Sequence, residues 1–313
     1  MSVAEMRTLG RTDLRVHPLC LGGNTFGWTT DEAESFVILD AYAAAGGNFI
    51  DTADTYSSWI KGHVGGESET IIGRWMRSRG NASHMIVATK VGYLPTLKGL
   101  APATIHAAVD GSLARLGTDR LDLYYAHADD PDTPLAETLR AFDEVVRAGK
   151  VRYIAASNYN AARLVEALAV SKREGLASYV ALQPNYNLVH RGDYEGALRD
   201  VCVQEGLACV PYFALASGFL TGKYAPGATV DSARADIVSK YRTPQNERVL
   251  EALGRVARAR KTTISAVALA WLRADETIAA PIASARTPAQ LAELLPSADL
   301  RLTSEELAEL AAR

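Results

Sequence analysis

Apolar, β-branched runs alternate along this chain with amphipathic runs rich in Ala, Leu, Glu and Arg. The apolar runs predict eight strands. They are "LCLGG" (19–23), "NFID" (48–51), "MIVATKV" (85–91), "LDLYYAH" (121–127), "VRYIAAS" (151–157), "YVALQPN" (179–185), "LACVPYF" (207–213) and "IAAPIA" (278–283). Each is followed by a helical pattern, at 31–45, 67–78, 102–116, 134–148, 160–174, 194–205, 246–260 and 288–294, and a further helix at 263–273 precedes the last strand. Strands that alternate with helices pair in parallel through right-handed crossovers. Eight such units in 313 residues predict an α/β fold of the (β/α)8 (TIM) barrel kind, one domain over 1–313 with extra C-terminal helices. A doubly wound open sheet is the competitor. It ordinarily carries a G-x-G-x-x-G turn for its dinucleotide, and none is present. "SGFLTGKY" resembles a phosphate loop only superficially, because Ser217 and Tyr224 stand where Gly and Ser/Thr are needed. The opening "MRTLGRTDLRVHPL" reads as a β-hairpin ahead of the first strand, and 224–245, with its Pro, Gly and charges, as a mobile loop.

Composition narrows the class. The net charge of −3 and the lack of any Lys/Arg run make nucleic acid and anionic membrane poor partners. Cys20, Cys202 and Cys209 are odd in number and lack metal-finger spacing, so reduced, buried thiols are expected. The start lacks the apolar core of a signal peptide, and no run is apolar for long enough to span a bilayer. Cytoplasmic residence is the resulting expectation.

Candidate chemistry emerges from strand alternation. If Val87, Thr89 and Val91 face the helices, Ile86, Ala88 and Lys90 face inward, and Lys90 is last in its row. Leu121, Leu123, Tyr125 and His127 share a face that ends at His127; Phe49 and Asp51 share one that ends at Asp51. Singly, each has a bland reading: a solvated strand end, a structural histidine, a capping aspartate. Three adjacent strands that each end an inward row on an ionisable residue, with Tyr56 just beyond Asp51, favour a site at the mouth where barrel enzymes work. A phenol has a pKa near ~10, and an adjacent ammonium would lower it. Asp51, Lys90 and Tyr56 would thus form a relay, with His127 orienting a carbonyl oxygen: general-acid equipment for a developing alkoxide. No Ser/His nucleophile pair is evident, and one His with one Asp is an incomplete metal set.

These residues sit in longer motifs. "LGRTDLRVHPLCLGGNTFG", "FIDTADTY", "GGESETIIGRWM", "IVATKVG" and "TDRLDLYYAHADDPDTPLAETLRAFDEVVRAGKVRYIAASNY" resemble, nearly end to end, the aldo-keto reductase family, in its branch of bacterial oxidoreductases and potassium-channel β subunits. The resemblance implies a catalytic Asp, Tyr, Lys and His, filled by Asp51, Tyr56, Lys90 and His127. It implies reduction of an aldehyde or ketone by hydride transfer from a nicotinamide, with Tyr56 as proton donor. It further implies a cofactor bound in extended form without a Rossmann turn. By that resemblance Ser157, Asn158 and Gln183 would bond the carboxamide, and Tyr212 would stack on the nicotinamide. Gly23, Asn24, Asp51 and Phe213 would also contact the cofactor. Leu215, Ser217, Gly218 and Lys223 would hold the pyrophosphate, while Arg286 would meet a 2′-phosphate and Gln290 and Glu293 the adenine end. Arg is suited to phosphate by its planar fork, so NADPH is expected over NADH.

The chain departs from the family pattern in three places: Phe213 and Ala214 replace Ser-Pro, Leu294 replaces Asn, and Ala128 follows His127 where Arg is usual. Trp28, Trp59 and Tyr93 would line a substrate pocket, or the two tryptophans would only cap the barrel. Their rings suggest an apolar or ring-bearing carbonyl, with a sugar left open. His63 reads as a solvated loop residue; Trp75 and Trp271 read as core. A second hypothesis is a nicotinamide-sensing regulatory subunit with incidental turnover. The intact His127, which differs in the channel subunits, and the absence of a long N-terminal inactivating segment argue against it. A third is a barrel that dehydrates or isomerises sugars without nicotinamide. Oligomeric state is not legible.

Overall fold

The computed structural model describes residues 4–223 and 238–311. Two short strands, β1 (Arg7–Thr8) and β2 (Arg15–Val16), pair antiparallel ahead of the main sheet. Eight strands then form one parallel sheet: β3 (Cys20–Gly22), β4 (Phe49–Asp51), β5 (Ile86–Val91), β6 (Leu121–Ala126), β7 (Val151–Ser157), β8 (Tyr179–Gln183), β9 (Ala208–Cys209) and β10 (Ile282–Ala283). The order runs from β3 to β9 in sequence, with β10 beside β3. At the other edge, backbone bonds join Cys209 to Thr277 and Ala279, and Pro211 to Ile282, so both edges meet the 277–283 segment. The curled parallel sheet with its helices fits an α/β barrel.

The helices are α1 (Glu32–Ala44), α2 (Glu67–Arg79), α3 (Pro102–Leu116), α4 (Leu135–Arg147), α5 (Ala161–Glu174), α6 (Ala197–Glu205), α7 (Pro244–Arg260), α8 (Ile264–Arg273), α9 (Pro288–Leu294) and α10 (Ser304–Ala311). Local chemistry sets their starts. Asp31 and Glu34 form a reciprocal capping box on α1, and Asn160, Thr243, Thr263 and Thr287 cap α5, α7, α8 and α9 by accepting a backbone N–H. Most elements fall within two residues of the sequence-based bounds. Helix α6 begins three residues late, and α7 begins at Pro244, inside the expected loop; residues 224–237 of that loop lie outside the described residues. The last two strands are shorter than their apolar runs. Their remaining residues make single bridges, Asn185 to Tyr212 and Cys209 to Ile278.

Two apolar layers result. Ile86, Ala88, Leu123 and Tyr125 pack with Phe49, Leu14 and Val16 inside the sheet, so the hairpin fills the end where the strands begin. Val87, Val91, Tyr124 and Ala126 pack outward with the helices. The alternation is as expected, except that Leu121, where it pairs with Val151, joins the outer layer. Trp75 is fully buried, Trp271 is 9% exposed, and all three cysteines are buried and free. Among the described residues no helix is long and apolar enough to cross a membrane.

Candidate active site

The ladder between β4 and β5 does not stop at Asp51. Thr52 N–H donates to Ala88 O and Asp54 N–H to Lys90 O, so the chain stays registered while it turns toward Tyr56. That register brings Lys90 beneath the loop. Its Nζ lies 2.7 Å from the Asp51 carboxylate, 2.7 Å from Thr52 O and 2.9 Å from Tyr56 Oη. Three acceptors satisfy the three protons of the ammonium, which is fully buried. Tyr56 donates to Asp51 Oδ2 at 3.0 Å, and Gln183 Nε2 donates to Asp51 Oδ1 at 2.9 Å. A buried carboxylate with an ammonium and two further donors is a satisfied ion, whereas one left alone would be costly.

The electrostatics correct one expectation. The phenol of Tyr56 is held well above its ordinary value, first by burial and then by the Asp51 charge, with which it also shares its proton. Those effects outweigh the ammonium at 2.9 Å, so the group stays protonated across the neutral range. His127 is pushed well below its ordinary value by burial and then by Lys90, so its imidazole is neutral. Its ring lies against Tyr93, centroids 4.5 Å apart, and edge-on to Tyr56 at 6.3 Å; its Nδ1 is buried without a partner among the described residues.

This cluster forms the floor of a cavity of about 910 Å³ at the carboxyl ends of the strands. Its walls include Asn24, Trp28, Asp51, Tyr56, Trp59, Tyr93, His127, Ser157, Asn158, Gln183, Tyr212, Phe213, Leu215, Ser217, Gly218, Lys223, Arg286, Gln290 and Glu293. Of the residues expected at a site, Lys90 lies under the floor, and Gly23 sits one residue behind the wall that Gly22 forms. A side chain at Gly22 would strike Ser284 Oγ, its Cβ only 2.5 Å away, so the backbone itself is the wall there. Gly22, Thr25, Ser265 and Ser284 were not anticipated. Ser265 follows the capping Thr263 at the start of α8, a signal that could have placed it near the cavity.

Several expected contacts are already engaged. Gln183 holds Asp51. Asn158 donates to His127 O at 2.8 Å and accepts from Tyr212 Oη at 2.8 Å, which fixes the Tyr212 ring beside the floor. Gln290 Oε1 accepts the Arg286 N–H. By contrast Ser217, 5% exposed, has a buried Oγ without a partner among the described residues. The Arg286 guanidinium makes no ion pair among the described residues. Leu294, where the family pattern has Asn, presents a buried apolar wall. Five of six positive-φ non-glycine residues, Ser57, Asn158, Phe213, Ala216 and Ser217, lie on the cavity or next to its lining. Strain of that kind is held where surrounding structure over-determines it.

At the rim, Trp28 and Trp59 pack edge to face at 5.5 Å and Trp59 meets Tyr56 at 6.3 Å, so the tryptophans do line the cavity. His63 is less solvated than expected: 32% exposed, with Nδ1 buried 3.9 Å from Glu67, because the loop folds back onto the first turn of α2. No group of three or more metal-ligating side chains occurs among the described residues.

Comparison with known proteins gives this geometry a family. Over 97% of the chain and 94% of its own length, an uncharacterized oxidoreductase, YrpG, of Bacillus subtilis is 36% identical. A probable voltage-gated potassium channel subunit beta of Oryza sativa is 32% identical over 95% of the chain and 92% of its own length. An aryl-alcohol dehydrogenase of Pestalotiopsis microspora is 30% identical over 95% of the chain and 78% of its own length. The model of the Aldo/keto reductase family matches residues 18–312, and with an α/β sheet and a floor of Asp, Lys, Tyr and His at the ends of its strands, this chain is an oxidoreductase of that family.

Proposed function

We propose that this protein reduces an aldehyde or ketone to an alcohol with NADPH, on a closed (β/α)8 barrel that the chain forms as one domain. The observation that carries the reading is the buried Asp51–Lys90–Tyr56 cluster under a large cavity, with a neutral His127 beside it. A bound nicotinamide would supply the hydride. The residues fit such a cofactor: among the described residues, a buried hydroxyl at Ser217 without a partner and a guanidinium at Arg286 without an ion pair, beside a bare backbone wall at Gly22. Ser157, Asn158 and Gln183 would hold the carboxamide, Tyr212 its ring face, Ser217 and Lys223 the pyrophosphate, and Arg286 a 2′-phosphate.

The chain's own steps follow from the hydrogen bonds. His127, neutral, donates an N–H to the substrate carbonyl oxygen without adding a charge that would repel Lys90. Tyr56 enters the reaction protonated. As negative charge builds on the carbonyl oxygen, the phenol turns its O–H from Asp51 to that oxygen. The phenolate left behind accepts from Lys90 at 2.9 Å, and Asp51, held by Gln183, keeps the ammonium in place.

Trp59 and Tyr93 are 49% and 46% exposed, and with Trp28 they line this cavity. Exposed rings around one mouth favour a flat, aromatic carbonyl over a sugar. The aryl-alcohol relative points the same way. The intact His127 favours turnover over a purely regulatory role.

Consumption of NADPH with substituted benzaldehydes and keto sugars tests the reading beside Tyr56→Phe. The variant is expected to quench on NADPH addition as the parent does and to lose turnover by about 10²–10⁴-fold. An active phenylalanine variant would overturn the proton-donor role. Arg286→Gln is expected to weaken NADPH, not NADH, by roughly 10–100-fold, as loss of a charged hydrogen bond does.

A further inference from the structure

A second cavity, about 180 Å³, lies at the end of the sheet where the strands begin, away from the phenol. Glu5, Met6, Arg7, Arg273, Asp299 and Arg301 line it. Three guanidinium groups therefore share one small space.

Arg273 closes α8 and is 8% exposed. Its Nη1 donates to Ser297 O, yet its Nε is buried with no acceptor. Arg7 Nη1 and Nη2 donate to Ile278 O at 2.6 Å and Arg273 O at 3.0 Å. Neither Arg7 nor Arg273 forms an ion pair among the described residues. Arg301 meets Glu5 at 3.0 Å, but both side chains are largely exposed, at 78% and 81%. Asp299 favours the Arg273 charge from longer range. Burial, then Arg7 and Arg301, pull the Arg273 guanidinium down to about 10. A buried cation without a contacting counter-charge is costly unless something supplies one.

We propose that this cavity is a binding site for a small oxyanion, a phosphate-sized group held by the guanidinium charges of Arg273, Arg7 and Arg301, which line it. Arg is the residue whose fork suits such a group. The anion bridges the hairpin strand β1, the last turn of α8 and the 297–301 segment, so its effect is on stability and not on the reaction at the far end. Inorganic phosphate and the phosphate end of a small phosphoester share this chemistry.

The test is thermal unfolding of the full chain at matched ionic strength, with chloride, inorganic phosphate or glycerol phosphate as the varied anion. Phosphate, glycerol phosphate or both are expected to raise Tm by roughly 2–4 °C over chloride, and which one does so identifies the source. Arg273→Met is expected to abolish the rise. Arg301→Gln, whose side chain is too exposed to threaten folding, is expected to reduce it at least twofold while leaving turnover unchanged. No rise with either anion, or an undiminished rise in Arg301→Gln, overturns the site.

Discussion

Asp51 and Asp54 stand three residues apart in one short segment, and both are buried, at 2% and 0% exposure. Asp51 faces the cavity floor and receives Lys90, Tyr56 and Gln183. Asp54 faces the layer between the sheet and α2. No side chain donates to either of its oxygens, and its near neighbours are the buried Glu69 and the Glu69-bound Arg115. Burial, then Glu69, raise the Asp54 carboxyl from 3.8 to about 7. The contrast teaches that one residue type at one depth becomes a hydrogen-bonded partner of a lysine or a carboxyl raised by burial according to the donors its register delivers.

Exchanging each carboxyl for an amide is the strongest way to break the comparison. Asp51→Asn takes the counter-charge from Lys90 and is expected to lower kcat by about 10²–10⁴-fold. Asp54→Asn is expected to leave kcat within about threefold, as a change of ~0.6 kcal/mol or less in the barrier would. Steady-state rates on both variants check this, and equal losses would erase the distinction.

Stability against pH sharpens it next. Because the native carboxyl of Asp54 titrates higher than its unfolded counterpart, the folded chain binds more protons between about pH 4 and 7. Its contribution to stability is therefore full below pH ~4 and is lost as pH rises through 7. The loss is on the order of 4 kcal/mol. Urea unfolding at several pH values is expected to show the difference between parent and Asp54→Asn growing across that window and flat above it. A pH-independent difference would mean that Asp54 is ionised throughout.

The smallest effect concerns the support of Asp51. Gln183→Leu removes one donor from Oδ1 and is expected to cost kcat about tenfold at saturating cofactor, the effect of one hydrogen bond to a charged group. A loss seen only in KM for the cofactor would assign Gln183 to binding alone.

The sequence carried much of this site because its cues are local. Alternation along 85–91 and 121–127 put Lys90 and His127 at strand ends, and the structure brings both to Tyr56. Family motifs named wall residues such as Ser217 and Arg286, which do line one cavity. Gly22, Ser265 and Ser284 escaped, since none is ionisable and so none marked a strand end as chemical, although Gly22 closes β3 and Ser284 directly follows β10. Asp54 was legible only as a residue beside Asp51, and Arg273 only as the cation in the last turn of a helix.

Periodicity and turn chemistry, which act over a few residues, thus settled the alternating elements, the helix starts and the rows that end in ionisable groups. Protonation states, Gln183's grip on Asp51 and the crowding of Arg7, Arg273 and Arg301 were decided by tertiary structure. Each depends on burial and on a partner distant in the chain, 132 residues away for Gln183 and 266 for Arg7. Solvation and Coulomb energy follow distance in space, which strand register and helix docking fix and which separation along the chain does not.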